Sequence, residues 1–159
     1  MKKELKVYAG IDSLKIKKLN GYENENYLVK TAKTTLIAKT YFYSSKNMHE
    51  SLAETDILLF LQKNKHKTPI PIRFLDGSYV KKVLIDGEQK VLRLLSYLEG
   101  DFLGNITPKK TFYIDLGVFL ANINKSLVNI ENTSLLYKEH EWDLQHLNLN
   151  KKYISDIKR

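Results

Sequence analysis

Hydrophobic and polar positions change their rhythm twice along the chain. After a short helical start over residues 1–14, Lys15–Leu19 (KIKKL) alternates with a period of two, the spacing of a half-buried strand. Asn20-Gly21 is a turn signal, and Asn26–Ala32 and Thr35–Phe42 then read as two strands joined at Lys33-Thr34. From Met48 to Gln62 the pattern becomes helical, with Leu52, Ile57, Leu58 and Leu61 as its apolar stripe and Ser44, Ser45 or Asn47 placed to cap it. Thr68-Pro69-Ile70-Pro71 stops the helix and begins an extended piece, because a proline pushes the residue before it out of the helical region. Ser78–Ile85 and Glu88–Leu98 are β-rich runs around Asp86-Gly87, a dipeptide suited to a two-residue hairpin turn.

Past Glu99-Gly100-Asp101 the strands cease. Thr107-Pro108 opens a helix that runs to about Leu127, with Phe112, Leu116, Phe119, Leu120 and Ile123 on one face. Two weaker helices are expected near Glu141–Leu147 and Lys151–Ile157. Strands gathered ahead of helices predict an α+β fold rather than an alternating α/β one. The change of character divides the chain into residues 1–100 and residues 101–159.

Composition narrows the chemistry. The chain has 159 residues, 43% of them hydrophobic, enough for a packed interior. It has no cysteine, which excludes disulfide scaffolds, thiolate metal sites and thiol nucleophiles. Its longest apolar run, Val91–Leu98, is far too short to span a membrane and contains Arg93. The N-terminal MKKELKVYAG lacks the apolar centre of a signal peptide, so a soluble, cytoplasmic protein with no membrane partner is expected. The formal net charge of +8 raises nucleic acid as a partner. Yet only Arg73, Arg93 and Arg159 among the 26 basic residues are arginine, and the lysines are scattered, which favours a solvated lysine-rich surface. The same positive balance suits a lobe that receives a nucleotide triphosphate.

One pair of positions carries chemistry. Lys39 lies at the end of the apolar strand Thr35–Tyr41, and Glu54 follows inside the amphipathic helix; Glu50, one turn earlier, is a competing partner. Asp115-Leu116-Gly117 falls within the long helix, where a metal-bearing loop would interrupt the pattern. No carboxylate pair, histidine spacing or serine context suggests acid–base, metal or nucleophilic catalysis.

The ordered combination of segments resembles the N-terminal half of the aminoglycoside phosphotransferase and choline kinase-like family, which has a protein-kinase-like fold. The matching segments are Leu19–Thr31 (LNGYENENYLVKT), the lysine strand LIAKT, the helix bearing Glu54, the Pro69–Pro71 exit and Leu94–Gly100 (LLSYLEG) as an interlobe hinge. The Leu116–Ala121 stretch and Trp142-Asp143-Leu144 look most like the homoserine kinase type II and hydroxylysine kinase branch. The resemblance implies a five-stranded antiparallel sheet with one packed helix, followed by helices that begin a C-terminal lobe. It implies ATP with Mg²⁺ as cofactor: Lys39 meeting the phosphates and Glu54 orienting it, the Asn20–Asn26 loop with Gly21 and Asn26 covering them, and backbone groups of Ser96 and Leu98 holding adenine. Leu28, Ile37 and Leu95 would be apolar walls. The loop departs from a Gly-rich pattern by carrying Glu23 and Glu25, acids that would repel phosphate.

The family's catalytic HGD-type loop and later metal ligands have no counterpart here. None of His49, His66, His140 and His146 is followed two residues on by aspartate. The chain alone is therefore expected not to transfer phosphate. A small-molecule acceptor, a hydroxyl compound of amine or amino-acid type, would be engaged through a C-terminal half absent from these residues. Helices lacking that half leave apolar surface and predict self-association. The alternative is a non-catalytic, pseudokinase-like or interaction module of a larger protein.

Overall fold

The structure, a computed structural model, describes residues 1–12, 14–21, 24–128, 130 and 143–156. Its elements are α1 (Lys2–Ala9), β1 (Lys15–Leu19), β2 (Glu25–Lys30), β3 (Thr35–Phe42), α2 (Ser45–Lys63), β4 (Pro71–Ile72), β5 (Val80–Ile85), β6 (Glu88–Ser96) and α3 (Lys110–Leu127). A 3-10 turn at Leu103–Asn105 precedes α3, and 3-10 turns with a kink at His146 run over Leu144–Asp156. The expected helix at Glu141–Leu147 begins outside the described residues, as does the Trp142 segment, and Ile157 also lies outside them.

The α+β class is as expected, but the sheet has six strands rather than five. The extra one, β4, is a two-residue strand containing Pro71, too short to leave a period in the sequence; it lies at an edge of β6, where a missing N–H is tolerated. The order is β1-β2-β3-β6, with β4 and β5 both pairing with the far side of β6, and every pairing is antiparallel. The β5–β6 turn is the Asp86-Gly87 hairpin, with both residues at positive φ (51° and 84°), the conformation for which that dipeptide is suited.

Directly opposed residues of antiparallel strands share a face, so the register sorts side chains into two layers. Val29, Leu36, Ala38, Leu92 and Leu94 form one layer, closed over by Leu5 of α1 and by Phe74. Leu28, Ile37, Lys39, Arg93 and Leu95 belong to the other, toward α2, which packs on β4, β5 and β6.

Ser44 caps α2 by accepting from the Asn47 N–H at 3.0 Å, and the Asn47 side chain donates to the Phe42 carbonyl at 2.8 Å. The inward side of α2 differs from the expected leucine stripe. Ser51, Ala53, Thr55 and Leu61 are buried, while Leu52 is 41% exposed. Small residues let the helix sit close to the sheet, and Thr55 satisfies its buried hydroxyl on the Ser51 carbonyl at 2.7 Å. The long helix α3 buries none of its residues, and Leu116, Phe119 and Leu120 are exposed. Its C-terminal turn meets the α2 exit through Ser126, 2.7 Å from His66 Nε2. Asp115-Leu116-Gly117 is helical, as the pattern predicted.

Candidate functional site

Strand register assembles the site. Asn26 on β2, Lys39 on β3 and Arg93 on β6 are successive cross-strand partners, a polar row on the α2 side of the sheet. One step along lies the apolar row Leu28, Ile37 and Leu95. Gly21 enters from the β1–β2 connection. A Cβ there would come within 2.1 Å of the Asn24 carbonyl oxygen and 2.8 Å of Asn26 Nδ2, so only a residue without a side chain permits this close approach. Asn26 Oδ1 is buried with no partner among the described residues.

The expected Lys39–Glu54 ion pair is not what forms. Glu54 Oε2 accepts from Arg93 Nη2, which also donates to the Tyr41 hydroxyl at 2.8 Å. Among the described residues no ion pair joins Lys39 to Glu54. The reason is solvation. Arg93 is 3% exposed and its planar guanidinium cannot lose its charge, so it requires a carboxylate. Lys39 is only half-buried and can keep its head toward solvent. Burial lowers the Lys39 pKa from its ordinary value, the Arg93 charge lowers it further, and Glu54 opposes both. Glu50, the other candidate, lies 3.9 Å from Lys46.

The two residues expected to hold adenine differ in their surroundings. The Ser96 N–H donates to the Ile70 carbonyl at 2.8 Å and its Oγ accepts from the Ile70 N–H at 2.8 Å, so this residue fastens the chain entering β4. Its N–H is thus already engaged within the protein. Leu98 lies beyond the end of β6, 51% exposed, and among the described residues its backbone makes no hydrogen bond.

The acids of the covering loop are not equivalent. Glu25 points to the opposite face of the sheet. There it accepts from Lys18, from Lys90 at 2.7 Å and from Thr40 at 3.3 Å, lining a hollow of about 250 Å³ together with Phe42. The bonds from Lys18 and Lys90 hold its carboxyl down at about 2. It is therefore neutralised and turned away from Lys39. Glu23 lies outside the described residues.

No three carboxylate or histidine side chains among the described residues are grouped to hold a metal ion. The row of Asn26, Lys39 and Arg93 carries more positive than negative charge, and the Leu28–Ile37–Leu95 row beside it is apolar. A divalent cation finds no donor set on the described residues. Arg93 was missed as a site residue, although a lone arginine inside the apolar run Val91–Leu98 was the available signal.

Comparison with known structures decides the architecture. The chain superposes on an amicoumacin kinase in complex with AMP-PNP and Ca²⁺, with a TM-score of 0.69 and 18% identity, covering 93% of this chain and 45% of that one. The fold is the N-terminal half of an aminoglycoside-phosphotransferase-like kinase. A microcompartment-associated aminopropanol kinase superposes with a TM-score of 0.67 and 19% identity, over 90% of this chain and 44% of that one. Spectinomycin phosphotransferase in complex with ADP and spectinomycin gives 0.67 at 16% identity, over 99% and 46%. In sequence, hydroxylysine kinase of Xenopus laevis is 25% identical over 164 aligned positions, 94% of this chain and 44% of that protein. The chain thus spans less than half the length of the relatives it matches. No protein-family model matches it. No helix among the described residues is long and apolar enough to cross a membrane.

Proposed function

We propose that this chain is the nucleotide-binding portion of an ATP-dependent small-molecule phosphotransferase whose acceptor is a hydroxyl on an amine- or amino-acid-like compound. The observation that carries the reading is the row of Asn26, Lys39 and Arg93 beside the apolar row of Leu28, Ile37 and Leu95, on a sheet superposing on kinases solved with AMP-PNP or ADP. Lys39 takes the phosphates as a point charge, the Gly21 turn closes over them, and the exposed backbone at Leu98 receives the adenine edge. Residues 1–100 form this nucleotide lobe and residues 101–159 begin the helical region that follows. ATP supplies the phosphoryl group, and Mg²⁺ is held by ligands other than the described side chains. The 159 residues alone bind nucleotide and do not transfer phosphate, because they contain no HGD-type loop.

Methyl NMR during an ATP titration tests this. Leu28, Ile37, Leu95 and Leu98 signals shift in the native protein and stay still in Lys39→Ala at the same nucleotide concentration. A native protein unresponsive at millimolar ATP overturns the reading. It would favour the second one, a non-catalytic pseudokinase-like or interaction module, which is supported by the capture of Glu54 by Arg93.

A further inference from the structure

Lys39 differs from the other lysines in what surrounds its amine. Its cross-strand neighbour on β6 is Arg93, 3% exposed and permanently charged. The carboxylate from α2, Glu54, is engaged by that arginine, and β2 contributes the neutral amide of Asn26. Tyr41, two positions along β3, accepts from Arg93 through its hydroxyl. Among the described residues, Arg93 and Glu54 are the charged groups that act on Lys39. Lys18 and Lys90 show the opposite surroundings: both donate to Glu25, whose hydrogen bonds raise their pKa values. Lys39 is nevertheless open to solvent in part, so a small reagent can reach it. An amine desolvated beside a fixed cation gives up its proton more readily and is a better nucleophile near neutral pH. Burial first, and the Arg93 charge second, move the Lys39 pKa in that direction against the pull of Glu54.

We infer that Lys39 is a site of direct acylation by acyl phosphates, electrophiles whose phosphate is drawn to the surplus positive charge of the row it shares with Arg93. In the reaction the unprotonated Nζ attacks the carbonyl carbon. The bond from that carbon to the phosphate oxygen breaks, and inorganic phosphate leaves with the electron pair. Nζ then gives a proton to solvent and an amide remains, so one acyl phosphate is consumed for each lysine modified. Acylation removes the charge of Lys39 and leaves Arg93 as the only cation of the row. Loss of ATP binding on acylation rests on the nucleotide-binding reading above; the modification itself does not.

Limiting acetyl phosphate on the 159-residue chain, with each modified lysine quantified by mass spectrometry, tests the inference. Lys39 should be acylated severalfold faster than the exposed Lys33 at about pH 7, the gap closing toward about pH 10 as an ordinary lysine loses its proton. The N-hydroxysuccinimide ester of acetic acid, which carries no phosphate, should give the same order with a smaller lead. A lead with the neutral ester alone overturns the choice of acyl phosphates, and no lead with either reagent overturns the inference outright. R93M should narrow the lead, because the fixed cation is gone and Glu54 is released toward Lys39. An unchanged lead in folded R93M also overturns it. Should R93M fail to fold, the two reagents on the native chain decide alone. Millimolar ATP should slow Lys39 and spare Lys33. Preferential acylation indifferent to ATP supports the modification while the nucleotide reading fails.

Discussion

Replacing Glu25 by glutamine should remove a pH-dependent part of the stability, and the structure sets both its sign and its size. Glu25 accepts from Lys18 and Lys90 and brings β1, β2 and β6 together through one carboxylate. Those bonds lower its pKa from 4.5 to about 2. A depressed carboxyl contributes stability that is fully present above the unfolded value and is lost as pH falls through the folded one. The window is therefore pH 4.5 down to about 2. Taken whole, a shift of that size corresponds to roughly 3 kcal/mol, but the side chain is one-third exposed and solvent screening reduces it to about 1 kcal/mol. Urea unfolding at pH 7 should accordingly show E25Q less stable by about 1 kcal/mol, with the native-minus-variant difference closing toward zero near pH 2. Asp76, held well below the usual carboxylate range by Lys81 and Ser78, titrates alike in both proteins and cancels in the difference. A difference that persists unchanged to the acid limit would refute the reasoning, since packing rather than charge would then be responsible.

Leu92→Ala, at a position 0% exposed in the middle of the central strand, should cost about 3 kcal/mol in urea unfolding, whereas Leu98→Ala should stay within about 0.5 kcal/mol. Equal losses would contradict the assignment of residue 98 to an exposed hinge. The exposed α3 face of Leu116, Phe119 and Leu120 should drive concentration-dependent association in light scattering, and Leu120→Glu should weaken it. A monomeric mass at every concentration would refute that.

The shared face of the candidate site residues was legible because strand parity is a strict rule. Once Asn26, Leu28, Ile37, Lys39 and Leu95 fall on paired strands in this register, they share a face whatever the details of packing. The Asp86-Gly87 turn was legible because few other dipeptides accept two positive φ angles. Partner choice was not legible. That Glu54 goes to Arg93 depends on which cation is more completely desolvated, a property of depth in the fold rather than of spacing. The pairing of Glu25 with Lys90 likewise spans 65 positions and follows from the strand order, which no local pattern encodes. The inward face of α2 misled because its buried residues, Leu61 apart, are serine, alanine and threonine, which give closeness rather than apolarity.

The outermost strand of the sheet gives the positive charge a further meaning. Among the described residues β1 pairs only with β2, so its other edge carries unpaired backbone groups of the kind that recruit strands from neighbouring molecules. That strand reads KIKKL, and Lys15, Lys17 and Lys18 are all exposed on it. Two such edges brought together would place these ammonium groups against one another in a dry seam. The lysines that first suggested an anionic partner thus also act as a guard against copies of the chain itself, leaving the sheet open along one side without inviting fibrous growth.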